Sequence, residues 1–317
     1  MPTKRSRVHP NYKTLYRVAN QPSYDASLVQ RGNLRIWLSP DAIKGWNAKA
    51  GSRRRRGGQP KYSDLAIETA LTLRLLLHLP LRQTEGFLTS LFELMNLHLD
   101  APDHTTLSRR SAGLTTALRT RKTSGAINLV IDSSGLAIYG EGEWAAAKHG
   151  GRGIQGWKTL HLAVDQTGES QAQTLTEANA DDATTGIELI KTLDAKIKSV
   201  IGDSAHDTRL LYAEAIDRGA RVIVPPIRTA TAGDPEWPQR NRSVRRIAKV
   251  GRRQWKKEAG YHRQARAENT FFRFKTIIGD RLRARDAGAQ MAEARLACDM
   301  LNRMIELGRP KSYSIQR

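Results

Sequence analysis

The sequence predicts an α/β protein in which an α-helical N-terminal region precedes a mixed β-sheet. Two observations support this fold class. Between residues 62 and 122, apolar side chains recur at helical spacing in three segments. From Ala126 onward they form short β-branched runs that alternate with helical patterns. The length of 317 residues allows about two domains with a sizeable core.

The chain is strongly basic, with 52 Lys and Arg against 31 Asp and Glu and a net charge of +21. Such an excess indicates a polyanionic partner or, less often, an anionic membrane surface. Residues 1–124 carry 21 basic and 8 acidic side chains, residues 125–227 carry 9 and 14, and residues 228–317 carry 22 and 9. Two basic flanks can neutralise nucleic-acid phosphates, whereas the acidic centre repels them unless cations lie between.

Membrane insertion and secretion are not expected. The longest apolar stretch, residues 71–81, is interrupted by Arg74, His78 and Pro80 and falls short of the roughly 20 residues that a span requires. The basic N-terminus leads into no apolar segment of a secretory signal. Cys298 is the only cysteine, so no intramolecular disulfide is possible. We therefore predict a cytoplasmic protein with no membrane partner.

The first 61 residues read as a basic arm and a linker. Residues 1–50 contain short elements with turns at Gly32 and at Ser39-Pro40. Residues 51–61 combine Gly, Pro and four consecutive arginines, which indicates a mobile basic linker. Its arginines, Arg53 and Arg54 among them, are candidate phosphate contacts, and a solvated loop is the alternative.

Three helices are predicted after the linker. The third begins with Asp103, a suitable N-cap, and carries Arg109, Arg110, Arg119 and Arg121. A basic last helix indicates a helix-turn-helix-like DNA-binding domain in which Arg109 and Arg110 contact DNA. An ordinary three-helix bundle is the alternative. The predicted helices are residues 62–79, 81–99 and 103–122, in a domain of residues 62–124.

The rest of the chain predicts three strands followed by a helix, a strand, a helix and a strand. Asp181 and Asp207 are the expected N-caps of the two helices. This order matches the ribonuclease H-like architecture, although a fold does not by itself imply a function. The predicted strands are residues 127–135, 159–168, 169–177, 199–204 and 221–226.

Two aspartates carry the first chemical signal. Asp132 and Asp203 each end a predicted buried strand, directly before small residues. Ligands of open α/β sheets bind beyond the carboxyl ends of the strands. If the two strands are neighbours, both carboxylates enter one crevice, and a divalent cation such as Mg²⁺ relieves their repulsion. For either aspartate alone, a turn residue at a strand end is the alternative.

A third acid lies in a helical pattern over residues 259–279. Seven-residue spacing places Tyr261, Glu268 and Lys275 almost on one line along a helix. Arginines, including Arg263 and Arg266, surround them. A weak surface ion pair is the alternative role for Glu268.

Together these motifs resemble the DDE transposases of bacterial insertion sequences, specifically the IS-five family. The signature of that family is Tyr, two residues, Arg, three residues, Glu, six residues, Lys. Tyr261, Glu268 and Lys275 keep this spacing, and the preceding acids match in VIDSSGLAIYGEGEW around Asp132 and VIGDSAHDT around Asp203. The resemblance extends over nearly the whole chain, including APDHTTLSRR and WKTLHLAVD.

The resemblance implies a ribonuclease H-like catalytic domain over residues 125–317, ending in basic helices. Asp132, Asp203 and Glu268 would be the catalytic triad that binds two Mg²⁺ ions, with Mn²⁺ as a possible substitute. Tyr261 and Lys275 would contact DNA. The enzyme would bind the inverted repeats at the ends of its element, free a 3′-hydroxyl and join it to target DNA. Pairing two double-stranded DNA ends implies a homodimer or a larger assembly.

Two departures from the family pattern leave alternatives open. Gln264 occupies the Arg position of the signature, and Ser204 and His206 replace the usual Gly and Tyr around the second Asp. Glutamine cannot make the bidentate ionic phosphate contact of a guanidinium. Either Arg263 or Arg266 takes that role, or the protein is an inactivated or domesticated transposase that only binds DNA. A nuclease of RNA hybrids is disfavoured, because the basic flanks suit duplex DNA.

Overall fold

The computed structural model describes residues 15–48, 59–114, 118–121, 125–138 and 156–315. Arg53 and Arg54, two of the expected phosphate contacts, lie outside these ranges. The helices and strands are β1 (Leu15–Val18), α1 (Gln21–Arg31), α2 (Leu34–Trp37), α3 (Pro40–Lys44), α4 (Asp64–Leu76), α5 (Leu81–Leu94), α6 (His104–Ser111), β2 (Ile127–Ile138), β3 (Trp157–Val164), β4 (Ser170–Glu177), α7 (Asp182–Lys191), β5 (Ile197–Ile201), α8 (Arg209–Asp217), β6 (Arg221–Ile223), α9 (Pro238–Val250), α10 (Arg252–Ala259), α11 (Ala265–Ile277), β7 (Arg281–Leu282), α12 (Ala287–Leu307) and β8 (Ser312–Ile315).

Six strands form the central mixed sheet. The main order is β4-β3-β2-β5-β6, and β7 pairs with the far end of β2. Strands β2, β3 and β4 are antiparallel, as expected of a strand followed by a hairpin, whereas β2, β5 and β6 are parallel. The α/β class and the predicted element order are confirmed, and the sheet is compatible with the ribonuclease H-like architecture.

The two faces of the sheet bury different cores. Helices α7 and α8 cover the face that carries Leu129 and Ile131. The opposite face carries Val130 and packs against α11, α12 and the N-terminal helices. Both faces of β2 are therefore apolar, as is typical of a central strand covered by helices on each side.

The N-terminal helices share one continuous core with the sheet. Trp37 and Trp46 are 4% and 0% exposed and belong to the same apolar cluster as Leu107 and Val130. The ring of Trp46 meets Phe92 edge-on, with centroids 5.0 Å apart. Strand β1 also pairs with β8 near the other end of the chain. Residues 15–48, expected as part of a basic arm, are thus folded against the body of the protein.

The predicted helices begin correctly but end too late. Helix α4 stops at Leu76 and α5 at Leu94, because His78 and Asn96 shortly afterwards adopt positive φ values of 56° and 51°. Such left-handed backbone does not continue a right-handed helix. The third helix differs most: Asp103 caps it as predicted, but it ends at Ser111 instead of residue 122.

The end of α6 changes the role of two arginines expected on that helix. Arg119 donates to Glu68 over 2.9 Å, and Arg121 donates to Glu169 over 2.8 Å. Both carboxylates are nearly buried, with side chains 7% and 2% exposed. An almost buried carboxylate requires a charged partner. Arg119 and Arg121 therefore hold the segment that connects the helices to the sheet in place against Glu68 and Glu169.

The expected cap of the second sheet helix is also corrected. Asp181 caps α7 as predicted, accepting from Thr184 N–H over 2.7 Å. Helix α8 is capped by Thr208, while Asp207 turns inward to Arg240. A buried carboxylate without a cationic partner costs more free energy than a helix N-terminus without a side-chain cap, so Asp207 pairs with Arg240.

Two further expectations concern single features. Cys298, the single cysteine, is fully buried in the core on α12, where it packs as a small apolar residue. Among the described residues, none of the helices has the length and apolar character that a bilayer span needs.

Candidate active site

The sheet places Asp132 and Asp203 in matching positions. Val130 pairs with Ile201, the last pair in the parallel ladder between β2 and β5. Asp132 and Asp203 each lie two residues beyond their paired residue. Because side chains alternate along a strand, the Asp132 carboxylate lies on the face of β2 that carries Val130. Asp203 lies just beyond the end of β5, and its charge raises the pKa of Asp132.

The expected strand end after Asp132 is wrong for β2 as a whole. The strand continues to Ile138, because it pairs with β3 as far as Ala137 and then with β7. Only its ladder with β5 ends before Asp132. The crevice expected at a strand end therefore opens at the point where β2 and β5 separate.

Asp203 begins a short 3₁₀ turn over Ser204–His206. Its Oδ1 accepts from Ala205 N–H over 3.0 Å and from His206 Nδ1 over 2.9 Å. The hydrogen bond from His206 is the main cause that lowers the pKa of Asp203. Asp203 is thereby kept ionised, in an orientation set by the imidazole.

Glycines make room for the imidazole of His206, which is 3% exposed. A Cβ at Gly202 would lie 3.0 Å from His206 Cγ, and a Cβ at Gly186 would lie 3.3 Å from His206 Cδ2. Packing therefore determines where the ring lies beside Asp203. In the sequence, His206 stood out only as a departure from the family pattern, and its position three residues after Asp203 was the available signal for the contact.

Asp132 is half-buried, and its pKa shifts in the opposite direction to that of Asp203. Burial raises its pKa, and the charges of Asp203 and Glu268 raise it further. The N–H of Ser133, 2.9 Å from Oδ1, and the charge of His206 act against this rise. The structure thus brings Asp132, Asp203 and Glu268 within electrostatic reach of one another.

Tyr261 and Glu268 do not share a helix as expected. Gly260 has a φ of 78° and ends α10, Tyr261 lies in a 3₁₀ turn, and α11 begins only at Ala265. The predicted single face is wrong for Tyr261, because the 3₁₀ turn that contains it has about 3.0 residues per turn, whereas the seven-residue spacing assumes the 3.6 or so of an α-helix. Tyr261 nonetheless lies near the acids: burial, then the charges of all three, raises its pKa to about 12.

The other basic candidates differ in exposure. Lys275 and Arg266 are exposed on α11, and Arg263 reaches Asn128 Oδ1 at 3.4 Å. Gln264, at the signature Arg position, is only 6% exposed, and its Oε1 has no hydrogen-bond partner among the described residues.

The two arginines of α6 differ in the hydrogen-bond partners of their guanidinium groups. Arg109 is exposed and, within the described part of the chain, bonds only to Thr105 of its own helix. Arg110 donates to Asp64 over 2.5 Å and to the Tyr62 carbonyl over 3.0 Å. The guanidinium of Arg110 is therefore committed to joining α6 to α4, whereas that of Arg109 can turn to meet a ligand.

The donor set of the site fits a hard divalent cation. Asp132, Asp203 and Glu268 supply carboxylate oxygens, which Mg²⁺ prefers, and their mutual repulsion favours a cation between them. Within the described ranges, no three His, Cys, Asp or Glu side chains are already grouped closely enough to hold a metal ion. Glu268 is exposed, so its side chain is free to turn toward the two aspartates.

Two family comparisons bear on this arrangement. A family model described as the transposase DDE domain matches residues 123–303, a range that contains Asp132, Asp203 and Glu268. A second model with the same description matches residues 29–141. The first match covers more than half of the chain. The protein belongs to the DDE transposases, a family of metal-dependent enzymes that cut DNA and transfer its strands.

Proposed function

We propose that this transposase mobilises an insertion sequence of the IS-five family. It binds the terminal inverted repeats, cuts the DNA to free 3′-hydroxyl ends and joins those ends to target DNA. Asp132, Asp203 and Glu268 are the catalytic metal ligands in this proposal. The main supporting observation is that Asp132 and Asp203 each lie two residues beyond the paired residues Val130 and Ile201. The charge of Glu268 also acts on Asp132.

Each acid has a distinct part in the proposed reaction. Two Mg²⁺ ions, or Mn²⁺ in their place, would supply activation of the attacking oxygen and stabilisation of the leaving oxygen in an in-line displacement. Asp132 offers its oxygens from β2, and Asp203 offers them from the turn that directly follows the neighbouring strand β5. Glu268 closes the ligand set from the first turn of α11. His206 keeps Asp203 oriented.

In this proposal, Tyr261 is a hydrogen-bond donor to the DNA and not a nucleophile. Its raised pKa, about 12, keeps the hydroxyl protonated at neutral pH. A neutral hydroxyl can donate a hydrogen bond to a phosphate oxygen. This role agrees with the DNA contact that the family resemblance implies.

The DNA would lie across the exposed basic side chains. Lys275, Arg263 and Arg266 lie on or beside α11, and Arg109 extends the basic surface to α6. Within this proposal, α4 to α6 act as the helix-turn-helix-like DNA-binding part, and two chains pair two DNA ends. The protein would work in the bacterial cytoplasm at the nucleoid, where its substrate lies.

A transposase that has lost cleavage but still binds DNA is the second candidate. The observation that favours it is Gln264, whose buried side chain offers no cation where the signature has Arg. Metal-dependent cutting separates the two candidates, because a pure binder would retard end DNA in a gel and leave it intact.

The test is cleavage of a duplex that carries the inverted repeat read from the DNA flanking the gene. The parent should cut it only with Mg²⁺ or Mn²⁺, and Asp132→Asn should reduce the rate at least about 10³-fold while it still binds the duplex. Asp194→Asn is the matched control, since Asp194 is an exposed acid before the opposite end of β5. Equal cutting by Asp132→Asn and the parent would refute the triad. No cutting by a folded, DNA-binding parent would favour the second candidate.

A further inference from the structure

A large groove lies between the helical region and strand β7, with a volume of about 1370 Å³. Its walls are the turn between α4 and α5, the first turns of α6, and residues 278–283, which lead from α11 into β7. Of the described residues that line it, Asp280 is the only acid. Two histidines and five arginines line it, the arginines being Arg74, Arg82, Arg109, Arg281 and Arg283.

The arginines divide into a structural set and an available set. Arg74 is 11% exposed and lies 4.0 Å from Glu293, while Arg283 donates to His78 over 2.9 Å. These contacts hold the wall of the groove. Arg82 and Arg281 are exposed on its rim. Arg281 forms a loose, exposed pair with Asp280 at 3.9 Å, which is worth little.

Apolar side chains also line the groove. They are Leu79, Pro80, Leu81 and the buried Ile278. Exposed arginines beside apolar side chains match a sugar-phosphate backbone, whose phosphates would meet the arginines and whose deoxyriboses would meet the apolar side chains. The volume also exceeds the 300–1,000 Å³ or so typical of small-molecule sites, which favours a polymer.

Strand pairing relates the groove to the acids. Arg281 pairs with Ala137, five residues beyond Asp132 on β2. At about 3.3 Å per residue this separation is about 17 Å. Duplex DNA rises about 3.4 Å per base pair, so about five base pairs span the same distance. Lys275, a DNA contact in the proposed function, precedes the lining residue Ile278 by three positions.

We propose that this groove binds the backbone of duplex DNA about five base pairs from the phosphate that is cut. The position relative to the cut rests on the proposed function, whereas backbone binding itself needs no catalysis. Arg82 and Arg281 make the phosphate contacts, and Arg109 joins them from α6. The groove therefore contributes affinity without base specificity, since contacts to phosphates do not read sequence.

The test measures binding of the full-length protein to a mixed-sequence duplex of about 30 base pairs, by fluorescence anisotropy in EDTA, from about 50 to 200 mM salt. Arg82→Ala/Arg281→Ala should lower the slope of log K against log salt by about 1.8, because each phosphate that is no longer neutralised removes about 0.9. Arg82→Lys/Arg281→Lys keeps both charges and should restore the slope. Lys196→Ala/Lys198→Ala is the charge-matched control, because the exposed Lys196 and Lys198 lie beside the β2 residues 127–128, about ten residues from the groove end of that strand.

The slope decides the outcome for variants whose thermal unfolding matches that of the parent. An unchanged slope in the double alanine variant would overturn the proposal. An equal decrease in Lys196→Ala/Lys198→Ala, or a failure of the Arg82→Lys/Arg281→Lys variant to restore the slope, would also overturn it. Metal is absent from this assay, so a protein without the proposed cleavage activity can still give the expected result. Where cleavage is found, hydroxyl-radical footprinting locates the groove on the DNA. The parent should protect the backbone about five base pairs from the cut, and Arg82→Ala/Arg281→Ala should lose that protection.

Discussion

His206 Nδ1 donates a hydrogen bond to Asp203 Oδ1 over 2.9 Å from a position that is 3% exposed. The imidazole therefore holds one proposed metal ligand from behind, without facing solvent itself. Partners that orient a metal ligand commonly change metal affinity or activity 10- to 100-fold or so when they are replaced.

Replacement of this partner should weaken the proposed catalysis without abolishing DNA binding. We expect His206→Phe to lower the cleavage rate about 10- to 100-fold and to raise the Mg²⁺ concentration needed for half-maximal rate. His262→Phe, at an exposed position that is not a proposed metal ligand, is the control and should keep the Mg²⁺ requirement of the parent. A normal rate and a normal Mg²⁺ requirement in His206→Phe would show that the hydrogen bond is only structural.

The exposed Arg266, rather than the buried Gln264, should contribute to DNA affinity. Arg266→Ala should weaken binding to duplex DNA and lower the salt slope by about 0.9, the value for one phosphate contact. Gln264→Ala should leave the slope unchanged, because its side chain is 6% exposed. Anisotropy over a salt series measures both. The reverse result would place Gln264, not Arg266, on the DNA.

The ion pair between Asp207 and Arg240 should contribute strongly to the free energy of unfolding. Their side chains are 0% and 12% exposed, and the guanidinium bonds both carboxylate oxygens at 2.9 to 3.1 Å. Asp207→Asn leaves Arg240 without a counter-charge and should lower the free energy of unfolding by about 3 kcal/mol. Urea unfolding provides the measurement.

A more exposed ion pair serves as the control for this prediction. Arg246 and Glu258 are 47% and 33% exposed, so Glu258→Gln should cost no more than about 1 kcal/mol. Equal losses of stability in Asp207→Asn and Glu258→Gln would contradict the importance of burial.

Asp299 on α12 should make stability depend on pH in mildly acidic solution. Burial raises the pKa of Asp299 to about 6, against the hydrogen bond that its Oδ1 accepts from Arg119 N–H. The folded state thus holds this proton more tightly than the unfolded state, whose Asp pKa is about 3.9. The stability that comes from Asp299 is complete below pH 4 or so and is lost as the pH rises toward 6.

Asp299→Asn should remove this dependence. The difference in unfolding free energy between variant and parent should change by at most about 1.4 kcal/mol per pH unit from about pH 4 to 6, in favour of the variant as the pH rises, and stay constant above. Urea unfolding at several pH values measures it. A difference that does not vary with pH would show that Asp299 titrates normally in the folded protein.

The sequence predicted the parts of the fold that depend on local pattern. Hydrophobic periodicity was enough to identify the strand and helix order around Asp132 and Asp203, and Asp103 and Asp181 were identified as caps. These features depend on residues within a few positions of each other. The helix ends at His78 and Asn96 did not follow from the pattern, because both residues accept ordinary helical backbone as well as positive φ.

Only the tertiary structure decided which chain segments meet. The Asp132 and Asp203 positions match because strands about 70 residues apart pair in one register, and register depends on packing of both faces. The burial of Gln264, the inward turn of Asp207 to Arg240 and the groove between α6 and β7 likewise join distant segments. The sequence therefore determined which chemical groups were present, and folding determined their neighbours, because desolvation and charge depend on distance in space.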